Sequence, residues 1–89
     1  MAKTHWIIAK HDSSMDHTVI YTLFGTKSDV KKYIAADIKK VRKLSCKEDW
    51  EGEEGITEYG DGTIYNCAMF YDYKLYYDAY PVNAIPVIN

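Results

Sequence analysis

Two cysteines and two prolines are all that the 89 residues contain. Cys46 and Cys67 are too few and too isolated to build a disulfide framework, and neither lies in a nucleophile motif. Two reduced thiols are expected, with Cys67 buried in a strand. Long apolar runs are also missing. No stretch approaches the roughly 20 residues of a membrane span, and the start, MAKTHWIIAKHD, lacks a long apolar h-region with a small-residue cleavage site. The expected location is the cytoplasm, away from membranes. There is no glycine-rich phosphate loop, because Gly52, Gly55, Gly60 and Gly62 neither follow a long strand nor open a helix. Carboxylate pairs for glycoside hydrolysis can be drawn in many ways here and so point nowhere. No catalytic residue, no metal site and no cofactor is expected: the reading is of a protein that is not an enzyme.

What the chain does contain is a polarity of charge. Net charge is −2, but from Lys27 to Lys47 eight basic residues face two acidic ones, a balance of +6. From Glu48 to Asp78 nine acidic residues accompany only Lys74, a balance of −8. Seven of the nine tyrosines lie after residue 58. With 47% hydrophobic and 27% charged residues, the composition is that of one globular domain over residues 1–89, not of a disordered segment.

Local patterns give the order of elements. Thr4 to Lys10 and Thr18 to Phe24 are short, apolar and β-branched, and read as strands that pair in an antiparallel hairpin. After Gly25, the stretch Thr26 to Asp29 resembles a capping box with Asp in the place of Glu, in which Thr26 or Ser28 accepts from first-turn N–H groups. Val30, Ile34, Ile38, Val41 and Leu44, with Tyr33, then mark one face of an amphipathic helix to about Ser45. Residues 46–62, with four glycines and seven carboxylates, read as an acidic loop that holds at most a short strand at Ile56 to Tyr59. Thr63 to Tyr71 and Lys74 to Tyr80 are the third and fourth main strands. Pro81 ends the last one, and the tail to Asn89 packs as an irregular segment or a short edge strand. The expected fold is α+β, a two-layer sandwich in which a β-β-α-β-β antiparallel sheet carries one helix on one face. In the fourth strand Leu75, Tyr77 and Ala79 should face the helix, leaving Lys74, Tyr76, Asp78 and Tyr80 on an uncovered face.

Three stretches are candidates for function. HDSSMDH, His11 to His17, groups two His–Asp pairs, but it joins two strands and matches no zinc or calcium loop. Its acids and serines are ordinary turn chemistry, and His5 is structural. The basic helix, through Lys39, Lys40, Arg42 and Lys43, is suited to tracking nucleic-acid phosphates, although a lysine-rich outer face also keeps a solvated helix soluble. The acidic, aromatic half weighs most. Alternation sends its tyrosines to both faces, and tyrosine favours interfaces. Glu51, Glu53, Glu54, Glu58, Asp61, Asp72 and Asp78, together with Tyr59, Tyr73, Tyr76 and Tyr80, are expected to form a surface for a basic partner.

The stretch WIIAKHDSSMDHTVIYTLFGT, the lysine-rich helix and the hairpin YNCAMFYDYKLYYDAYPV together resemble the short proteins encoded by phages and mobile elements of low-GC Gram-positive bacteria. That resemblance extends over the full length. It implies an anti-CRISPR or anti-restriction style of inhibitor with an acidic, DNA-mimicking surface, acting in the host cytoplasm on a host protein with a basic cleft. Dedicated DNA mimics are far more acidic than −2, and the +6 helix is the departure. The alternatives are a nucleic-acid-binding module built on the helix and a nucleotide-binding sponge built on aromatic stacking. A homodimer is also expected as an option, with the fourth strand or the tail offering an edge to a second copy.

Overall fold

The computed structural model describes residues 3–82. The two N-terminal runs form β1 (Thr4–Asp12) and β2 (His17–Gly25), paired antiparallel from Thr4–Gly25 to Asp12–His17. The helix α1 (Lys27–Leu44) follows, then one turn of 3-10 helix at Lys47–Asp49. The chain continues through β3 (Trp50–Glu53), β4 (Thr57–Glu58), β5 (Ile64–Phe70) and β6 (Lys74–Pro81). Among the described residues six strands form one antiparallel sheet in the order β2-β1-β6-β5-β3, with β4 further along the same side of β5. One helix on one face of this sheet gives the expected two-layer α+β sandwich.

The helix begins where its cap predicts. Thr26 accepts from the Asp29 N–H, and the Asp29 carboxylate accepts from the Thr26 N–H at 2.8 Å. These bonds, the one from the Thr26 backbone foremost, hold the Asp29 carboxyl below its usual range. Gly25 is required beside this cap, since a Cβ there would meet the Asp29 carboxylate at 2.6 Å. Val30, Ile34 and Ile38 are buried against Trp6, Ile8, Ile64, Ala68, Phe70, Leu75, Tyr77 and Ala79 of the sheet. Tyr21, Leu23, Tyr33, Val41, Trp50 and Tyr73 close the rim of this core.

Polar side chains on the covered face find partners there at two places. Lys10, on a central strand, reaches Asp37 of the helix at 2.8 Å, and the Tyr77 hydroxyl donates to the same carboxylate oxygen at 2.7 Å. The three side chains tie β1, α1 and β6 together. Asn66, also buried, donates to Glu53 on the edge and accepts from the Cys67 N–H.

Two expectations need correction. Trp50 to Glu53 lies in the stretch that reads as a loop, yet it pairs with β5 through Trp50–Phe70 and Glu53–Ala68. A bulge at Glu51 and the positive φ of Gly52, 135°, explain the loop-like composition: this edge strand is bent, and glycine takes the bend without strain. The fourth main strand, β6, offers no edge to a second copy, because β1 and β5 occupy both of its sides. Among the described residues the free edges are those of β2 and of the broken β3–β4 line. The tail beyond Val82 lies outside the described residues.

Candidate functional site

Alternation sorts every strand residue to one face or the other, and the register lines up in rows the face that no described element covers, the open face. Ile20, Ala9, Asp78, Tyr65 and Thr57 form one row across the sheet. Thr18, His11, Tyr76 and Cys67 form the next. On the other side of the first row, Thr22, Ile7 and Tyr80 line up. Leu75, Tyr77 and Ala79 are buried on the helix side, and Tyr76, Asp78 and Tyr80 stand on the open side, as the alternation of the last strand predicts. Asp78 is half-buried among these neighbours, and desolvation pushes its carboxyl up from the ordinary 3.8. Burial likewise drives the Tyr65 phenol up, helped by Cys67 and Glu54 beside it. The Cys67 thiol is raised by burial too, which leaves it a weak nucleophile.

The clearest concavity on this side sits at the end of the β5–β6 hairpin. Glu51, Tyr71, Asp72, Lys74, Tyr76 and Ser13 lie around a hollow of about 340 Å³, with Phe70 and Tyr73 behind them. Ser13 comes from the β1–β2 turn and fixes that turn to the hairpin: its N–H donates to the Lys74 carbonyl at 3.0 Å, and its Oγ accepts from the Lys74 N–H at 2.8 Å. Tyr71 is 77% exposed, so its ring is free to meet a partner.

The predicted acidic and aromatic residues therefore separate into groups. Glu51, Asp72 and Tyr76 meet at the hairpin end. Asp78 and Tyr80 stand on the open face, with Glu54 close to Tyr65. Tyr73 turns inward instead: it stacks on Phe70 at 4.6 Å and its hydroxyl lies 3.1 Å from Ser45 Oγ. Glu53 is engaged by Asn66, and Glu58 by Lys31, whose hydrogen bond lowers the Glu58 carboxyl. Asp61 accepts from the Thr63 N–H and hydroxyl and is lowered chiefly by the backbone bond, so it works as a turn residue. Tyr59 is exposed next to that turn, 51% accessible. Sequence reasoning left Tyr65 and Tyr71 out of the contact set. In TIYNCAMFY one face sets Asn66 among apolar residues and the other carries Tyr65, Cys67 and Met69, so alternation alone does not orient β5.

On the helix side, Lys39, Arg42 and Lys43 line a second hollow with Lys47, Ser45 and Trp50. Lys40 lies apart from this one, beside Ala36 and Leu44. Within HDSSMDH only Ser13 to Asp16 form the turn, His11 and Asp12 closing β1 and His17 opening β2; Asp12 accepts from the Ser14 N–H and hydroxyl, and Asp16 takes a positive φ of 47°. His11 Nδ1 lies 2.8 Å from the Thr18 hydroxyl and its other nitrogen 3.8 Å from Asp16. Among the described residues, no three His, Cys, Asp or Glu side chains converge as metal ligands, and no helix is long and apolar enough to cross a membrane. Both cysteines are free thiols, Cys46 exposed and Cys67 buried. No family model, curated protein or solved structure matches the chain.

Proposed function

We propose that this is a non-enzymatic binding protein that occludes a basic, nucleic-acid-binding surface on a partner protein. The reading rests on the hollow at the β5–β6 hairpin end, where Glu51, Asp72, Tyr71 and Tyr76 come together on a surface that no described element covers. Two carboxylates and two phenol rings suit an arginine or lysine side chain. The carboxylates form charge-assisted hydrogen bonds with it, and the rings hold its cation over their faces. The adjoining rows of Tyr65, Asp78 and Tyr80 extend the contact along the open face. Lys74 at the rim reduces the negative field and favours a single basic side chain over a polycationic stretch. In keeping with the resemblance to small phage proteins, the partner is a host defence or nucleic-acid enzyme, and the protein acts by covering the cleft that nucleic acid would enter.

The test is capture from a bacterial lysate, followed by a nucleic-acid-binding assay on the captured enzyme. Wild-type protein should block nucleic-acid binding by that enzyme. A Glu51→Lys, Asp72→Lys variant should associate more slowly, with the difference largest at low salt, where charge steers encounter. Tyr71→Ala should speed dissociation. If the charge-reversed protein blocks the enzyme as well as wild type does, acidic docking is wrong.

A further inference from the structure

The hollow on the helix side has a different chemistry from the hairpin end. Lys39, Arg42 and Lys43 are three and four residues apart on α1 and so share one side of the helix. Lys47 follows from the 3-10 turn, and together they enclose about 400 Å³ against Trp50. The Arg42 guanidinium lies 4.6 Å from the centroid of the Trp50 ring, and Phe70 props that ring edge-on at 5.4 Å. The stacked indole–guanidinium pair thus lies in a hollow that Lys39, Lys43 and Lys47 also line.

These cations also differ from others in the molecule. Lys10 is paired with Asp37, and Lys31 with Glu58. Among the described residues none of Lys39, Arg42, Lys43 and Lys47 lies within ion-pair distance of a carboxylate. Glu53, which lines a neighbouring hollow with Lys39, Arg42 and Trp50, already accepts from Asn66. A second hollow of about 380 Å³ adjoins the first, shares Lys39 and Lys43 with it, and adds Lys40 and the exposed side chain of Leu44. The two make a continuous basic track with a stacking surface at one end and an apolar platform at the other.

We infer that this track binds nucleoside phosphates, with a base stacked on the Trp50–Arg42 surface and the phosphates held by Lys39, Lys43 and Lys47. Aromatic and guanidinium planes stack bases without regard to sequence, and lysines follow the backbone. The same chemistry is offered by a free nucleotide and by a single strand of nucleic acid. A track with two hollows has room for more than one nucleotide, which favours the strand. This site is separate from the hairpin-end hollow, so the two readings stand or fall on different residues.

Trp50 fluorescence tests it. The full-length protein is titrated at low salt with a short single-stranded oligonucleotide, a nucleoside triphosphate and inorganic triphosphate, and Trp50→Phe serves as the signal control. Saturable quenching by the oligonucleotide, lost in Trp50→Phe, is expected. Quenching by the nucleoside triphosphate alone would assign the free nucleotide as the ligand of the same site. A Lys39→Glu, Lys43→Glu variant, shown folded by circular dichroism, should bind at least about tenfold more weakly. Its slope of log affinity against log salt should be shallower by about 1.4, since two fewer phosphates of the single strand are then neutralised. Lys27→Glu, Lys32→Glu places the same charge change at the other end of the helix and should leave binding nearly intact. The proposal is overturned if neither the oligonucleotide nor the nucleoside triphosphate quenches. It is also overturned if both double variants weaken binding equally, or if inorganic triphosphate competes as well as the nucleotide does.

Discussion

The two faces of the sheet are made by the same strands, one residue out of step, and they follow different rules. On the covered face most side chains are apolar and buried, and most polar exceptions are matched: Lys10 and Tyr77 converge on Asp37, and Asn66 meets Glu53, while the buried Trp6 indole N–H has no partner among the described residues. On the open face aromatic rings, a half-buried carboxylate and exposed aliphatics such as Ile20 stand side by side. Packing decides which residues are tolerated on the first face. On the second, Asp78 remains ionisable although its surroundings oppose the charge, a cost that stability alone does not require.

The largest expected effect breaks the covered face. Ile34 is fully buried against the sheet, so Ile34→Ala should cost roughly 2–5 kcal/mol in denaturant unfolding, through lost burial and the cavity left behind. Tyr77→Phe keeps the ring but removes the hydroxyl that donates to Asp37. A hydrogen bond to a charged group is worth about 1.5–3 kcal/mol, and urea titration of the variant should show a loss of that order. On the open face the sign reverses. Because the folded Asp78 carboxyl titrates above 3.8, its ionisation near neutral pH opposes folding. Asp78→Asn should therefore raise the melting temperature above the folded pKa. The gain should shrink as pH falls and vanish below 3.8, where folded and unfolded groups are both protonated. Melts at about pH 7 and about pH 3 decide this; a gain that persists in acid would assign the effect to something other than charge. The smallest effect is expected at Ile20, 59% exposed: Ile20→Ala should stay within about 0.5 kcal/mol of wild type in the same unfolding assay. A large loss there would mean that the open face is itself a packed interface.

Much of this contrast is legible in the sequence because it depends on local periodicity. The spacing of Val30, Ile34 and Ile38 gives the helix and its buried side, Thr26 and Asp29 give its first turn, and the alternation in KLYYDAY gives both faces of β6. Pairing is not local, and there the reading fails. Nothing in WEGE announces a strand; Trp50 to Glu53 become one because β5 presents a free edge to them. Tyr73 sits in a turn between two strands, a position that suggests exposure, but the helix end brings Ser45 to its hydroxyl and Phe70 lies under its ring. The charge halves of the sequence mislead for the same reason. Lys31 neutralises Glu58 across the fold, whereas Lys39, Lys43 and Lys47 are left facing a tryptophan.

The place of β6 at the centre of the sheet has a kinetic consequence. Its neighbours are β1, from the beginning of the described chain, and β5, just before it. The β1–β2 hairpin and α1 are assembled from nearby residues and can form early, but neither has a completed sheet to rest on until the last strand arrives. Closing β1 against β6 draws together segments from almost opposite ends of the described chain, and that search carries most of the loop entropy of the fold. Refolding should be slow for so small a domain, and until β6 docks, the β1 edge and the apolar side chains of Trp6 and Ile8 lack their partners. Such a chain is most vulnerable to misassociation before its last strand has docked.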